Sequence, residues 1–286
     1  MKKLFTGVVA TLFIICGVSV NAQAALSFWG NSASGSLAIE NFDLDIAAGT
    51  ATETLEYNPM SGNGRGVVVV GNTVYFTRVG DSSIYKLDAL TGASLGSIPT
   101  TRSSMSTLAW DGSTFWTTDY AGSNEAYQIA ADGTLLKTIN LGLATGYSDG
   151  MEYFNGKLIA NRTDGGFGGS IIYDIYDLDG GLLQAAFISS PNGTGIAFDG
   201  TNFIVSDIYS SQVHVYDGTT GAFIKTIVLP GTANTGYGRL IEDVSVDYAL
   251  REDTGGDQNP VVPEPATMLL LSSGLLGMAG IRRKNA

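Results

Sequence analysis

The sequence has little of what most catalytic and metal sites are built from. Its 286 residues hold one cysteine and one histidine. Cys16 lies in the apolar run at the N-terminus, so the body has no disulfide and no thiol chemistry. His214 alternates with Val213 and Val215 along a strand, which places it opposite them as a satisfied or exposed structural residue. With no second histidine and no cysteine in the body, zinc has too few ligands. A Ser-His-Asp triad would depend on His214 alone. Basic residues are also scarce, 15 against 27 acidic, for a net charge of −12. Losing Lys2 and Lys3 with the leader leaves 13 against 27. Such a surface is a poor partner for nucleic acid and favours solubility outside the cell. No long amphipathic helical pattern appears in the body, which argues against helical architectures.

What is present is a repeat. Gly193–Leu229 reads as four short apolar segments separated by Asp, Gly, Asn and Ser turns, which is one four-stranded antiparallel unit. Its inner hairpin recurs as Val67–Phe76, Leu108–Trp116, Met151–Ile159 and Ile196–Val205. The turns there are Gly71-Asn72, Asp111-Gly112, Asn155-Gly156 and Asp199-Gly200, which suit tight hairpins through positive φ at the central residues. The outer hairpins turn at Gly92, Gly133, Gly181 and Gly221, at intervals of 41, 48 and 40 residues. The long interval holds Asp164–Gly169, a glycine-rich insertion. A further outer hairpin spans Ser36–Leu55, with Gly49 lying 43 residues before Gly92.

That extra hairpin lacks an inner partner in front of it. The expected partner is Gly238–Tyr248, read as two strands around a Glu242-Asp243 turn. An open ring would leave a bare strand edge. The expectation is therefore an all-β protein, a β-propeller of five four-stranded blades with one blade shared between the chain termini.

The chain divides into four parts. Residues 1–24 read as a signal peptide: Lys2-Lys3, an apolar run, then Ala22-Gln23-Ala24 before Ala25 as the cleavage site. Residues 25–253 are the propeller, and 254–262 a Gly/Asp/Asn-rich linker. The tail, 263–286, opens with Pro263-Glu264-Pro265 and continues as the apolar run Ala266–Ile281, with Gly274, Gly277 and Gly280. Arg282-Arg283-Lys284 follow. The run has 16 residues, slightly short for a full membrane span, and the basic residues suit the cytoplasmic side.

Those three tail elements resemble the PEP-CTERM sorting signal of Gram-negative bacteria. The resemblance implies recognition by exosortase and cutting near Pro263–Pro265. It also implies a membrane-anchored precursor and a mature protein released from, or attached to, the cell surface, often in makers of exopolysaccharide. The body loosely resembles extracytoplasmic propellers of the YVTN and NHL type, on blade pattern alone.

The acidic residues at turns are explained by Asx turns. Asp119 and Asp207 follow the second inner strand of their blades at matching places, a candidate ligand or calcium position. Trp110, Trp116 and Tyr147 are candidates for sugar stacking, although inter-blade packing is the plainer account of the aromatics. The first functional expectation is a non-enzymatic surface or matrix protein whose propeller binds a polysaccharide or protein or serves structure, processed by signal peptidase and exosortase. The alternative is an extracytoplasmic carbohydrate-active enzyme, a lyase or glycosidase with paired carboxylates. A convergent cluster of Asp, Glu, Tyr or Arg at a channel mouth favours the enzyme; a well-packed, featureless channel favours the binding protein.

Overall fold

The computed structural model describes residues 25–33, 37–119, 123–142, 148–162, 169–231 and 239–251. The leader, the sorting tail, Tyr147 and most of the Asp164–Gly169 insertion lie outside them. The described chain is all-β, five four-stranded antiparallel sheets arranged as propeller blades.

The closing blade contains β1 (Leu26–Ser32), β2 (Ile39–Asp45) and β3 (Thr50–Tyr57). The second blade is β4 (Gly64–Val70), β5 (Thr73–Arg78), β6 (Ser83–Asp88) and β7 (Ser94–Pro99). The third is β8 (Ala109–Trp110), β9 (Thr114–Thr118), β10 (Glu125–Ala130) and β11 (Leu135–Asn140). The fourth is β12 (Met151–Phe154), β13 (Lys157–Arg162), β14 (Ser170–Tyr176) and β15 (Leu182–Pro191). The fifth is β16 (Gly193–Phe198), β17 (Asn202–Asp207), β18 (Gln212–Asp217) and β19 (Phe223–Val228). The last strand, β20 (Ile241–Val246), returns to the closing blade as its innermost strand, beside β1.

The ring therefore closes as expected, but the split is three strands to one. Glu242 and Asp243 are not a turn; they lie inside β20 and are buried. The strand in front of that hairpin, β1, runs on through the polar Gly30-Asn31-Ser32 and pairs with β20 from Phe28 opposite Val246 to Ser32 opposite Ile241. The hydrophobic run alone understates this strand because its second half, Gly30-Asn31-Ser32, is polar and becomes buried only when the ring closes.

The turns also differ from expectation. Asn155-Gly156 does carry positive φ at both positions, 47° and 74°. Asp111 and Asp199 do not. Their carboxylates instead accept backbone N–H groups of Ser113 and Thr114, and of Thr201 and Asn202. The loops are shifted by one residue: the Asp111 N–H donates to the Thr114 carbonyl and the Asp199 N–H to the Asn202 carbonyl, so each aspartate flanks its loop and its side chain caps it.

Each gap between neighbouring blades holds its own apolar cluster. Val67 and Val69 face the closing blade with Trp29, Leu37 and Ile39. Val68 faces the third blade with Leu108, Phe115 and Tyr127. Period-two alternation thus buries both faces of a strand, because each face meets a different neighbour. His214 follows the same logic. It is 6 % exposed, not on an open face, and its Nδ1 lies 2.9 Å from Thr226 Oγ1.

Around the axis the inner strands approach backbone to backbone. A Cβ on Gly195 would lie 2.4 Å from Asp243 Cα, and one on Gly150 would lie 1.8 Å from the Thr194 carbonyl. Only glycine allows that spacing. The free edge of β4 is then capped by alternate side chains of the neighbouring chain. The backbone N–H groups of Val67, Val69 and Gly71 donate to Asp243, Ser245 and Asp247 at 3.0, 3.1 and 2.8 Å.

Candidate functional site

The ionisable groups converge at the axis, as an enzyme would require, but they face one another. Where the inner strands begin, Arg65 on β4 is paired with Glu242 on β20, both buried. Beside them Asp149, 1 % exposed, accepts a hydrogen bond from Ser106 Oγ at 2.9 Å. Asp243 is fully buried and accepts from the N–H groups of Val67 and Leu108 and from Thr107 Oγ1. Burial pushes the Asp243 carboxyl well above its ordinary value, and those donors only partly offset it. Burial raises Asp149 as well, opposed by Ser106 and Arg65.

Where the inner strands end, the chain crosses the axis. After β20 a 3₁₀ turn, Tyr248–Leu250, carries Tyr248 and Arg251 onto Glu152 of β12. Arg251 Nη2 lies 2.8 Å from Glu152 Oε2, its guanidinium stacks 3.4 Å above the Tyr248 ring, and a second nitrogen donates to the Tyr153 carbonyl. Glu152 is 2 % exposed; burial raises its carboxyl, against the pull of Arg251 and Tyr248. Leu26, Asp247 and Leu250 line one shallow depression beside this strap, so the two ends of the described chain lie together.

Among the described residues, the carboxylates close enough to share a cation are Glu40, Glu53 and Glu56 on β2 and β3. Arg239 already occupies that place, paired with Glu40 and, at 2.6 Å, with Glu53. Burial lifts Glu40 to about 7, with Arg239 pulling down and Glu56 and Glu53 pushing up. Arg239 thus holds the approach to β20 against the outer strands of the same blade.

Asp119 and Asp207 are held separately, in the third and fifth blades. Asp119 is paired with Arg102 and accepts from Tyr127 Oη at 3.0 Å. Asp207 lies 3.6 Å from His214 Nε2 and accepts from the Tyr209 N–H. Burial raises Asp207, but the contact with His214 and neighbouring hydrogen bonds outweigh it and leave the carboxyl below its ordinary value. The sequence also contains a Gly-x-Ser-x-Gly spacing at Gly92–Gly96. It leads from a hairpin turn into the outermost strand β7, not from a strand into a helix, and Ser94 Oγ accepts from the Gly96 N–H. His214 lies in the fifth blade.

Of the tryptophans, Trp116 is buried and donates Nε1–H to Asp111 at 3.0 Å, so its ring packs between blades. Trp110 is half-buried at the end of β8. Sequence alone gave no signal separating the two. The axial residues Arg65, Glu152 and Asp243 were likewise missed, because each looks like an ordinary polar position until the ring closes.

A family model described as the PEP-CTERM protein-sorting motif matches residues 261–284. The chain ends in a PEP-CTERM sorting signal. That signal implies export, a membrane-anchored precursor and processing by exosortase. No curated protein matches the chain in sequence. Among solved structures, a chain of the nidogen/laminin complex is similar at TM-score 0.52 and 16 % identity, covering 79 % of this chain and 99 % of that one. Glutaminyl cyclase of Myxococcus xanthus is similar at TM-score 0.47 and 15 % identity, covering 64 % and 90 %. At such identity the nidogen/laminin likeness shows a shared fold only.

Proposed function

We propose that this PEP-CTERM protein is a non-enzymatic binding module of the cell surface or extracellular matrix. In this reading signal peptidase cuts between Ala24 and Ala25, and exosortase acts near Pro263–Pro265. The propeller then presents its surface to a polysaccharide or surface protein. One observation carries the choice of binding over catalysis. The axial Arg65, Glu242, Glu152 and Arg251 are buried and paired with one another, so none is offered to a substrate. A catalytic carboxylate pair must reach its bond and keep a proton to give.

The lyase or glycosidase reading keeps one favourable feature, the raised Glu40 beside Glu53. Arg239 lies between them and Glu40 is 5 % exposed, which leaves a glycosidic oxygen no approach.

The test is fractionation of the producing bacterium combined with retention of the matrix polymer. The wild-type protein is expected outside the inner membrane without its tail, holding matrix material through washing and leaving it uncut. Deleting Pro263–Pro265 should leave the tail on. Depolymerisation of the retained polymer, abolished by Glu40→Gln, would replace this reading with the enzymatic one.

A further inference from the structure

The closing blade brings three glutamates to one face where a regular hairpin would bring two. Glu40 of β2 stands directly opposite Glu56 of β3. Like charges at opposed positions of an antiparallel pair repel. The register then shifts by one residue: Asn41 faces Leu55, but Phe42 faces Glu53. Thr54 is the extra residue of a β-bulge, and its hydroxyl is pinned to Asn41. In an unbroken strand residues 53 and 56 would lie on opposite faces. The bulge turns both to the side of Phe42, Leu44 and Ala51, which pack toward the fifth blade. Ile39, Leu55 and Tyr57 pack on the other side, toward the second. Glu40, Glu53 and Glu56 thus each offer a carboxylate oxygen within 4.8 Å of the other two.

Arg239 answers part of this charge. It pairs with Glu40 Oε1, its Nη2 lies 2.6 Å from Glu53 Oε2, and its guanidinium lies 5.0 Å from the centre of the Phe42 ring. One guanidinium against three ionised carboxylates leaves two negative charges. Glu40 is 5 % exposed, and its second oxygen, Oε2, is buried with no hydrogen-bond partner among the described residues. A buried acceptor in that position is costly. Glu56 is exposed, so the cluster is open to solvent on its side.

A donor set of carboxylate oxygens, with no nitrogen or sulfur, selects a hard cation. Calcium tolerates the irregular geometry of ligands drawn from two opposed strands and a bulge, whereas magnesium demands a near-ideal octahedron. We propose that Glu40 and Glu56, with Glu53 shared between the cation and Arg239, form a calcium site on the closing blade. The cation gives Glu40 Oε2 its partner and cancels the repulsion between Glu40 and Glu56. Arg239 leads into β20, so the cation also ties β2 and β3 to the approach of the strand that closes the ring. The expected dissociation constant is about 10⁻⁴–10⁻³ M, the range of extracellular calcium modules. The site is independent of what the propeller's surface binds.

The chain from Ala25 to its C-terminus, in a non-ionic detergent, is stripped of divalent cations with a chelator and dialysed. Calcium chloride is then titrated by calorimetry at fixed ionic strength and pH 8, above the Glu40 value of about 7. One saturable site is expected, and 10 mM calcium should raise the thermal midpoint by about 3–8 °C. Glu56→Gln, at an exposed position, should weaken binding about tenfold or more. Asp132→Asn, in the exposed turn between β10 and β11, should bind as wild type does. Glu56→Lys places a fixed positive charge opposite Glu40; its midpoint without calcium should exceed that of wild type, and calcium should no longer move it. No saturable binding, wild-type affinity in Glu56→Gln, equal weakening by Asp132→Asn, or a calcium-dependent midpoint in Glu56→Lys would overturn the site and leave only diffuse screening of an acidic surface.

Discussion

The fifth blade and the closing blade have the same four-stranded sheet, yet they are held by opposite kinds of contact. The fifth runs without interruption from Gly193 to Val228, and its turns are made locally. Asp217 alone accepts from Thr219 N, Thr220 N and Thr220 Oγ1. In the closing blade the equivalent Asp45 side chain accepts, among the described residues, from Ala48 N. Its order comes from distant groups: Ser32 to the Arg239 carbonyl, and Arg239 to Glu40 and Glu53. Asp243 reaches into the second and third blades, and Arg251 crosses to Glu152 in the fourth. The strand that closes the ring is bracketed by buried arginines, Arg239 before it and Arg251 after. Local turns specify a blade whose strands are neighbours in sequence. A blade assembled from both chain ends bears a long loop-closure cost and needs contacts that fix where the last strand sits.

The comparison can be broken most severely by deleting Ile241–Arg251. The closing blade then loses its innermost strand and the second blade loses the caps on β4, so cooperative unfolding should disappear in a urea titration. Glu152→Ala is next. It leaves the Arg251 side chain buried without its carboxylate partner, at a cost of about 3–5 kcal/mol. A smaller loss, about 1–3 kcal/mol, is expected for Asp243→Asn, which presents an amide to groups that are already donors. Both are read from urea midpoints at constant slope.

A pH series sharpens the contrast further. Glu40 is raised from 4.5 to about 7 in the fold. The folded state holds that proton more tightly than the unfolded chain, so the contribution is present at low pH and is lost as pH rises through about 7. Asp149, Glu152 and Asp243 shift in the same direction. Stability should therefore rise between about pH 8 and pH 5, and Glu40→Gln should flatten the slope. The smallest effect belongs to the exposed turns. Asp217→Ala should lower the thermal midpoint slightly, and Asp45→Ala less, in proportion to the hydrogen bonds each makes.

Much of the fold was legible in the sequence because a propeller blade is mostly local. Glycines at Gly92, Gly133 and Gly221 mark outer turns with φ of 66°, 92° and 69°, a conformation open chiefly to glycine. Their spacing gave the blade count. The sorting signal was legible for the same reason, since Pro263-Glu264-Pro265, the apolar run and Arg282-Arg283-Lys284 are contiguous. The candidate site was far less legible. Asp119 and Asp207 occupy matching places in the repeat but stay in separate blades with separate partners.

The sequence by itself determined five repeating units, the position of their outer turns and a tail addressed to the membrane. Each depends on residues within a few positions of one another. Only the tertiary structure decided that the closing blade divides three strands to one and that Asp243 is buried where a turn was expected. It alone also decided that Trp110 is half-buried while Trp116, six residues on, is covered. Those outcomes depend on which neighbouring blade covers a face, and that is set by ring closure between residues some two hundred positions apart.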